Sequence, residues 1–104
     1  MLIMTVIAQV KPLKRQEFLQ VLHSLYINGE EKKGVKKSMI YQEMEDPNSF
    51  RLILELATRK NLETHLNGEE FGVLLGALEV LCAESQIRYS YTPEEGSEVP
   101  ESKS

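Results

Sequence analysis

The chain has no tryptophan, one cysteine and only two histidines in 104 residues. Each shortage excludes something. With Cys82 alone no intrachain disulfide can form, a usage that suits a reducing cytoplasm. Two histidines and one cysteine, without H-x-x-x-H or C-x-x-C spacing, provide no clustered metal-ligand motif. No glycine-rich phosphate loop follows a strand, and no Ser/His/Asp arrangement stands out. Basic residues are also short: Lys and Arg total 12 against 16 Asp and Glu, for a net charge of -4. They fall in small groups (Lys11, Lys14, Arg15; Lys32, Lys33, Lys36, Lys37; Arg59, Lys60) that read as solvated rims. Phosphate binding wants a clustered basic surface, so nucleic acid is not an expected partner. The apolar opening "MLIMTVIAQV" falls well short of the roughly 20 residues a membrane span needs. It lacks a basic start, and "KPLKR" stands where a signal peptide would have a small-residue cleavage site.

What is present is ordinary globular material, 41% hydrophobic and 27% charged, which calls for no staples. Residues 2–10 predict a strand, apolar at both parities, that ends before Pro12. From about 14 to 28 the period lengthens: Phe18, Leu22, Leu25 and Tyr26, with Leu19, form one helical stripe. "NGEEKKG" closes that helix and leads out through Gly34. A second strand is expected over 35–44, a turn at "EDPNS", and a third strand within "SFRLILELATRK". Here Phe50, Leu52, Leu54 and Leu56 point one way, and Arg51, Ile53, Glu55 and Ala57 the other. A helical region follows from about 60 to 83, bent or restarted at Gly68, with Cys82 as a buried small hydrophobe. No basic neighbour in sequence activates that thiol. "QIRYSYT" is the last strand, with Ile87, Tyr89 and Tyr91 on one face. Residues 1–92 thus form one domain, and the Pro-, Gly-, Ser- and Glu-rich stretch 93–104 is expected to be a disordered acidic tail.

The order strand, helix, strand, strand, helix, strand predicts an α+β, ferredoxin-like βαββαβ fold with a four-stranded antiparallel sheet. Two helices cover one sheet face only. The other is expected to be an apolar interface, most simply met by a second copy in a C2 homodimer.

These elements resemble the antibiotic-biosynthesis-monooxygenase-like family of dimeric α+β barrels. The resemblance is carried by short signals in register. "VKPLKRQEF" (10–18) is similar to the family's strand exit and helix start, with Leu13 in place of a typical glycine. Gly34 stands at the family's Gly-Cys step, with Val35 replacing the cysteine. Tyr41 matches the tyrosine of the second strand, and "EDPNSF" (45–50) the Asp-Pro turn and its phenylalanine. Leu62, His65 and Leu66 match the second helix's aliphatic and His-Leu signature, and Phe71, Leu74 and Leu75 its apolar continuation. Two further positions depart from the pattern. Leu56 replaces a usual tryptophan, and Leu54 a common glutamate two residues before it. Glu55 points to the opposite face. The Asn-Trp-His set of the heme-degrading relatives therefore cannot be assembled.

The resemblance implies a site between sheet and helices in each protomer, with Leu54, Leu56, Tyr26 and Phe71 lining a dry pocket for a small-molecule substrate. His65 matches the family histidine and is the expected proton-handling group. Its structural alternative is a helical histidine that caps backbone or pairs with Glu63 or Glu69. Tyr41 could donate its hydroxyl to a substrate oxygen, or simply pack at an interface. Arg51 could meet an anionic group, or pair with Glu43 across strands. His23 belongs to the helix edge. The implied activity is a cofactor-independent monooxygenation of a phenolic, quinone-like or other enolisable compound. The alternatives are a non-catalytic barrel that binds a small apolar ligand, and a small isomerase on the same scaffold.

Overall fold

A computed structural model describes residues 1–27 and 34–91. The expected tail at 93–104 and the helix exit at 28–33 lie outside the described residues.

Strand β1 (Leu2–Val10) is followed at Pro12–Lys14 by a 3₁₀ turn, with Pro12 at its first position, where no backbone N–H is needed. Helix α1 (Arg15–Leu22) buries Phe18 and Leu22, one turn apart on its inner face. The chain then widens to π geometry over His23–Ile27, which buries Tyr26. Such wide turns are a recurrent device for aiming a side chain at a functional site. Gly34 has φ +80°, left-handed backbone that a side chain would strain, and a Cβ there would stand 2.9 Å from Asn61 Cβ.

Strands β2 (Val35–Glu43) and β3 (Asp46–Leu56) form a hairpin. Its turn is Met44–Glu45, one step before the expected "EDPNS". Asp46 still makes the local bond read from its side chain, accepting from the Asn48 N–H at 3.0 Å. Pro47 is tolerated because β3 is paired with β1 only from Ser49 onward. Helix α2 (Arg59–Leu66) is capped by Thr58, whose hydroxyl accepts from Asn61 N–H at 3.1 Å. Helix α3 (Glu69–Leu81) restarts after Gly68, as the "NGEE" interruption predicts.

Strand β4 (Cys82–Tyr91) begins earlier than the sequence predicts, so Cys82 is its first residue and not part of a helix. The cause is pairing: Cys82 stands opposite Val10, and Lys11 N–H donates to the Leu81 carbonyl at 2.9 Å. These ladder bonds override the helical period of the side chains. Nothing basic neighbours the thiol in sequence, but the fold brings Lys11 near it. Its ammonium donates to the Val80 carbonyl at 3.1 Å and lowers the Cys82 pKa. Burial is the larger effect, and the thiol is pushed up to about 11.

The four strands form one antiparallel sheet in the order β2-β3-β1-β4. This is the α+β, ferredoxin-like arrangement. The core lies between the sheet and the helices. Met4, Val6, Ala8 and Val10 of β1, and Phe50, Leu52, Leu54 and Leu56 of β3, supply its floor. Phe18, Leu22, Leu74 and Leu78 close it from above, with the Phe18 and Phe50 rings 5.9 Å apart. Burying each such side chain is worth about 1.5–3 kcal/mol.

The uncovered face is thereby settled. It carries Ile3, Thr5, Ile7 and Gln9 of β1, and Ser49, Arg51, Ile53 and Glu55 of β3. Lys37, Met39 and Tyr41 of β2 and Gln86 and Arg88 of β4 flank them. This face is less apolar than expected: an aliphatic centre lies inside a rim of charges and amides. Arg51 sits opposite Tyr41 and Ile7, and the ion pair seen among the described residues is Lys14–Glu17, so the expected Arg51–Glu43 bridge does not form. No helix among the described residues is long and apolar enough to cross a membrane.

Candidate functional site

The described residues whose chemistry stands out inside the core are His65 and Tyr26. His65 is the buried polar residue of the core, 7% exposed, in the last turn of α2. Tyr26, delivered by the π-type turn after α1, is 6% exposed. Its hydroxyl lies 3.3 Å from His65 Nε2. The two rings are 5.8 Å apart at their centroids, and the Phe71 ring, from the first turn of α3, is 5.7 Å from His65. Leu54 and Leu56 are both 0% exposed on the sheet face that these helices cover.

The electrostatics follow from burial. Desolvation holds the His65 pKa below its usual value, with a smaller opposing effect from Glu70. The imidazole is therefore neutral near neutral pH and able to accept a proton. Desolvation, with Glu70 adding to it, raises Tyr26 far above the ordinary phenol range. The phenol therefore stays protonated and can donate to Nε2 when the ring carries its own proton on Nδ1. A neutral base and a neutral acid are thus held in contact within the buried layer between sheet and helices. The pair can pass a proton in either direction without placing a charge on the protein at rest.

The structure joins some of the expected site residues and separates others. His65, Tyr26 and Phe71 meet directly, and Leu54 and Leu56 face the same layer. His65 pairs with Tyr26, not with the Glu63 or Glu69 of its structural alternative. Tyr41 does not join them. It stands opposite Arg51 on the uncovered face, 51% exposed, with its hydroxyl donating to Met39 Sδ at 3.4 Å. Strand alternation is the cause, because Tyr41 has the parity of Arg51 and not that of Leu52. Its surroundings there are a hollow of about 230 Å³ lined by Ile7, Gln42, Glu43, Ser49 and Arg51. His23 is exposed at the end of α1, as expected. Glu70 is the residue that the sequence did not single out. Its signal was its position, five residues after His65 across the Gly68 break. Among the described residues no group of three or more His, Cys, Asp or Glu could hold a metal ion.

No family model and no curated protein matches the chain. Solved structures do. A conserved protein from Methanosarcina mazei Go1 is 25% identical with a TM-score of 0.78, over 88% of this chain and 92% of that one. A structure named as an antibiotic biosynthesis monooxygenase is 18% identical with a TM-score of 0.77, over 90% of this chain and 100% of its own. A Deinococcus radiodurans protein, itself assigned provisionally to the same group, is 15% identical with a TM-score of 0.81, over 95% and 99%. The resemblance carried by "EDPNSF" and by Leu62, His65 and Leu66 thus extends to three dimensions: the chain has the fold of the antibiotic-biosynthesis-monooxygenase-like proteins.

Proposed function

We propose that the protein is a small-molecule monooxygenase that acts without metal or flavin on a phenolic or enolisable compound, and that Tyr26 and His65 are its proton-handling pair. The observation that supports this reading best is the 3.3 Å contact between two buried, neutral, titratable side chains in an otherwise apolar layer. A carbon acid bound against Tyr26 gives its proton to the Tyr26 oxygen while the Tyr26 proton moves to His65 Nε2. The enolate left behind supplies the electrons that reduce dioxygen and forms a carbon–oxygen bond to it. The peroxide takes back the proton and loses water, so that a CH₂ group and O₂ become a carbonyl group and H₂O. The dry surroundings of Leu54, Leu56 and Phe71 favour this chemistry by keeping the pair and the enolate from solvent.

The test is oxygen uptake with a panel of hydroquinones and other enolisable aromatics. The expected result is turnover that falls by about 10²–10⁴ in His65→Ala while the fold is retained. Equal turnover in both proteins counts against the pair. Ligand binding without oxygen consumption supports the second reading, a non-catalytic barrel. The complete burial of Leu54 and Leu56, where relatives commonly carry glutamate and tryptophan, favours that second reading.

The uncovered sheet face supports a homodimer. Ile3, Ile7, Met39 and Ile53 are only partly buried there. Cations (Lys37, Arg51, Arg88) and anions (Glu55, Glu84) are interspersed on the same face, so it can complement a copy of itself across a two-fold axis. The unpaired Cys82 accords with a reducing, cytoplasmic location.

A further inference from the structure

Nothing in the proton-handling pair itself says what stabilises His65 once it is charged. We propose that Glu70 is a positioning residue of this site: from the first turn of α3 its carboxylate folds back over the Asn67–Gly68 elbow and serves as counter-anion to the imidazolium that His65 becomes when Tyr26 passes it a proton. This inference rests on the reading of Tyr26 and His65 as a proton-handling pair.

The geometry begins at the elbow. Helix α2 ends one residue after His65, and Gly68 N–H donates to the His65 carbonyl at 3.1 Å, which ties the joint to the histidine's own backbone. A Cβ placed on Gly68 would lie 3.5 Å from that carbonyl oxygen, 3.6 Å from the Thr64 carbonyl oxygen and 3.6 Å from Glu70 Oε1. The carboxylate is therefore turned back toward the last turn of α2 and not out along α3. The next residue, Phe71, sets its ring 5.7 Å from the imidazole, so the same stretch of α3 already touches His65. Glu70 is partly buried, whereas its neighbour Glu69 is exposed.

Chemistry supplies the need. An imidazolium formed between the Tyr26 and Phe71 rings is an uncompensated charge in a poorly solvated layer, which is costly. Among the described residues, the facing group from the other packed elements is Tyr26, which stays neutral, above the aliphatic side chains of β3. Glu70 acts electrostatically on both members of the pair. It favours the charged form of His65 and disfavours a phenolate at Tyr26. Both effects direct the proton toward His65 and leave Tyr26 as a carrier that never rests as an anion. Its place on the first turn of α3 is one that favours an acidic side chain.

The experiment is an NMR pH titration of the two histidine rings in the wild-type protein, in Glu70→Gln and in Glu70→Asp. His23, exposed at the end of α1, is the internal control. The expected result is a lower His65 midpoint in Glu70→Gln, an intermediate midpoint in Glu70→Asp, and a constant His23 midpoint, with the amide spectrum of the fold preserved. An unchanged His65 midpoint in Glu70→Gln overturns the inference. Oxygen uptake by the same samples separates the two claims. A shifted midpoint in a protein that consumes no oxygen upholds the counter-anion and removes the oxygenase reading. An unshifted midpoint beside retained turnover removes the counter-anion and upholds the oxygenase.

Discussion

An imidazole buried against two aromatic rings titrates differently in the folded and the unfolded chain, and that difference can be measured without any substrate. The folded His65 pKa is depressed by desolvation, while the unfolded chain has the ordinary value near 6.5. Above that value both states are neutral and nothing is lost. As pH falls through it, the unfolded chain takes up the proton first, so the folded state loses stability until its own lower pKa is passed. Urea unfolding at pH 7.5 and pH 5.5 should therefore show a larger loss in the wild-type protein than in His65→Gln. Parallel losses would mean that His65 is not held neutral. His65 itself was legible, because the helical "Leu-x-x-His-Leu" spacing marks it. Tyr26 was legible as a lining residue, but its pairing with His65 was not. Tyr26 lies 39 positions away and reaches Nε2 only because the chain after α1 widens into a π turn, which a helical period does not reveal. Strand alternation grouped Leu54 with Phe50, Leu52 and Leu56 but did not say which way that group faces; the fold turns it toward the helices. Being fully buried, Leu54 should cost about 2–5 kcal/mol when cut to alanine, read as a lower denaturant midpoint at constant slope.

At the scale of elements, the joints determine where the site residues arrive. Gly34 starts β2 in left-handed backbone with Asn61 of α2 pressed against it. Gly34→Ala must meet both the strain and the 2.9 Å approach, and should destabilise by at least about 1–2 kcal/mol in thermal or urea melts. A neutral effect would mean that this contact is loose. Thr58 caps the short helix that carries His65, and Thr58→Ala should cost about 1 kcal/mol. The glycine joints were readable in the sequence, since "NGEE" interrupts an apolar stripe and Gly34 follows a polar run. The junction of α3 and β4 was not. The side chains of 81–83 fit a helix, but the backbone of Lys11 claims the Leu81 carbonyl and Val10 claims Cys82 as its neighbour. Long-range pairing of this kind leaves no mark on local periodicity.

For the whole molecule, the sequence required something to cover the second sheet face but could not say which parity of β3 that was. The fold places Leu52 in the core and Ile53 on the open side. Substitutions at these adjacent positions should therefore fail differently. Leu52→Asp buries an unpaired charge and should abolish folding. Ile53→Asp should leave a folded chain that light scattering reports at about the 11.9 kDa protomer mass, where the wild-type protein should give twice that. A wild-type protein that runs as a monomer would remove the second copy from the account. The proposed function is centred on the opposite side of the sheet, where the Tyr26 hydroxyl lies 3.3 Å from His65 Nε2. The most direct measurement of that claim is turnover under ¹⁸O₂ with an enolisable aromatic substrate, wild type beside Tyr26→Phe. The account predicts one labelled oxygen atom in the wild-type product and a rate lower by at least about 10² in the folded Tyr26→Phe protein. Product oxygen drawn from water, or an undiminished rate after the phenol hydroxyl is removed, would contradict it.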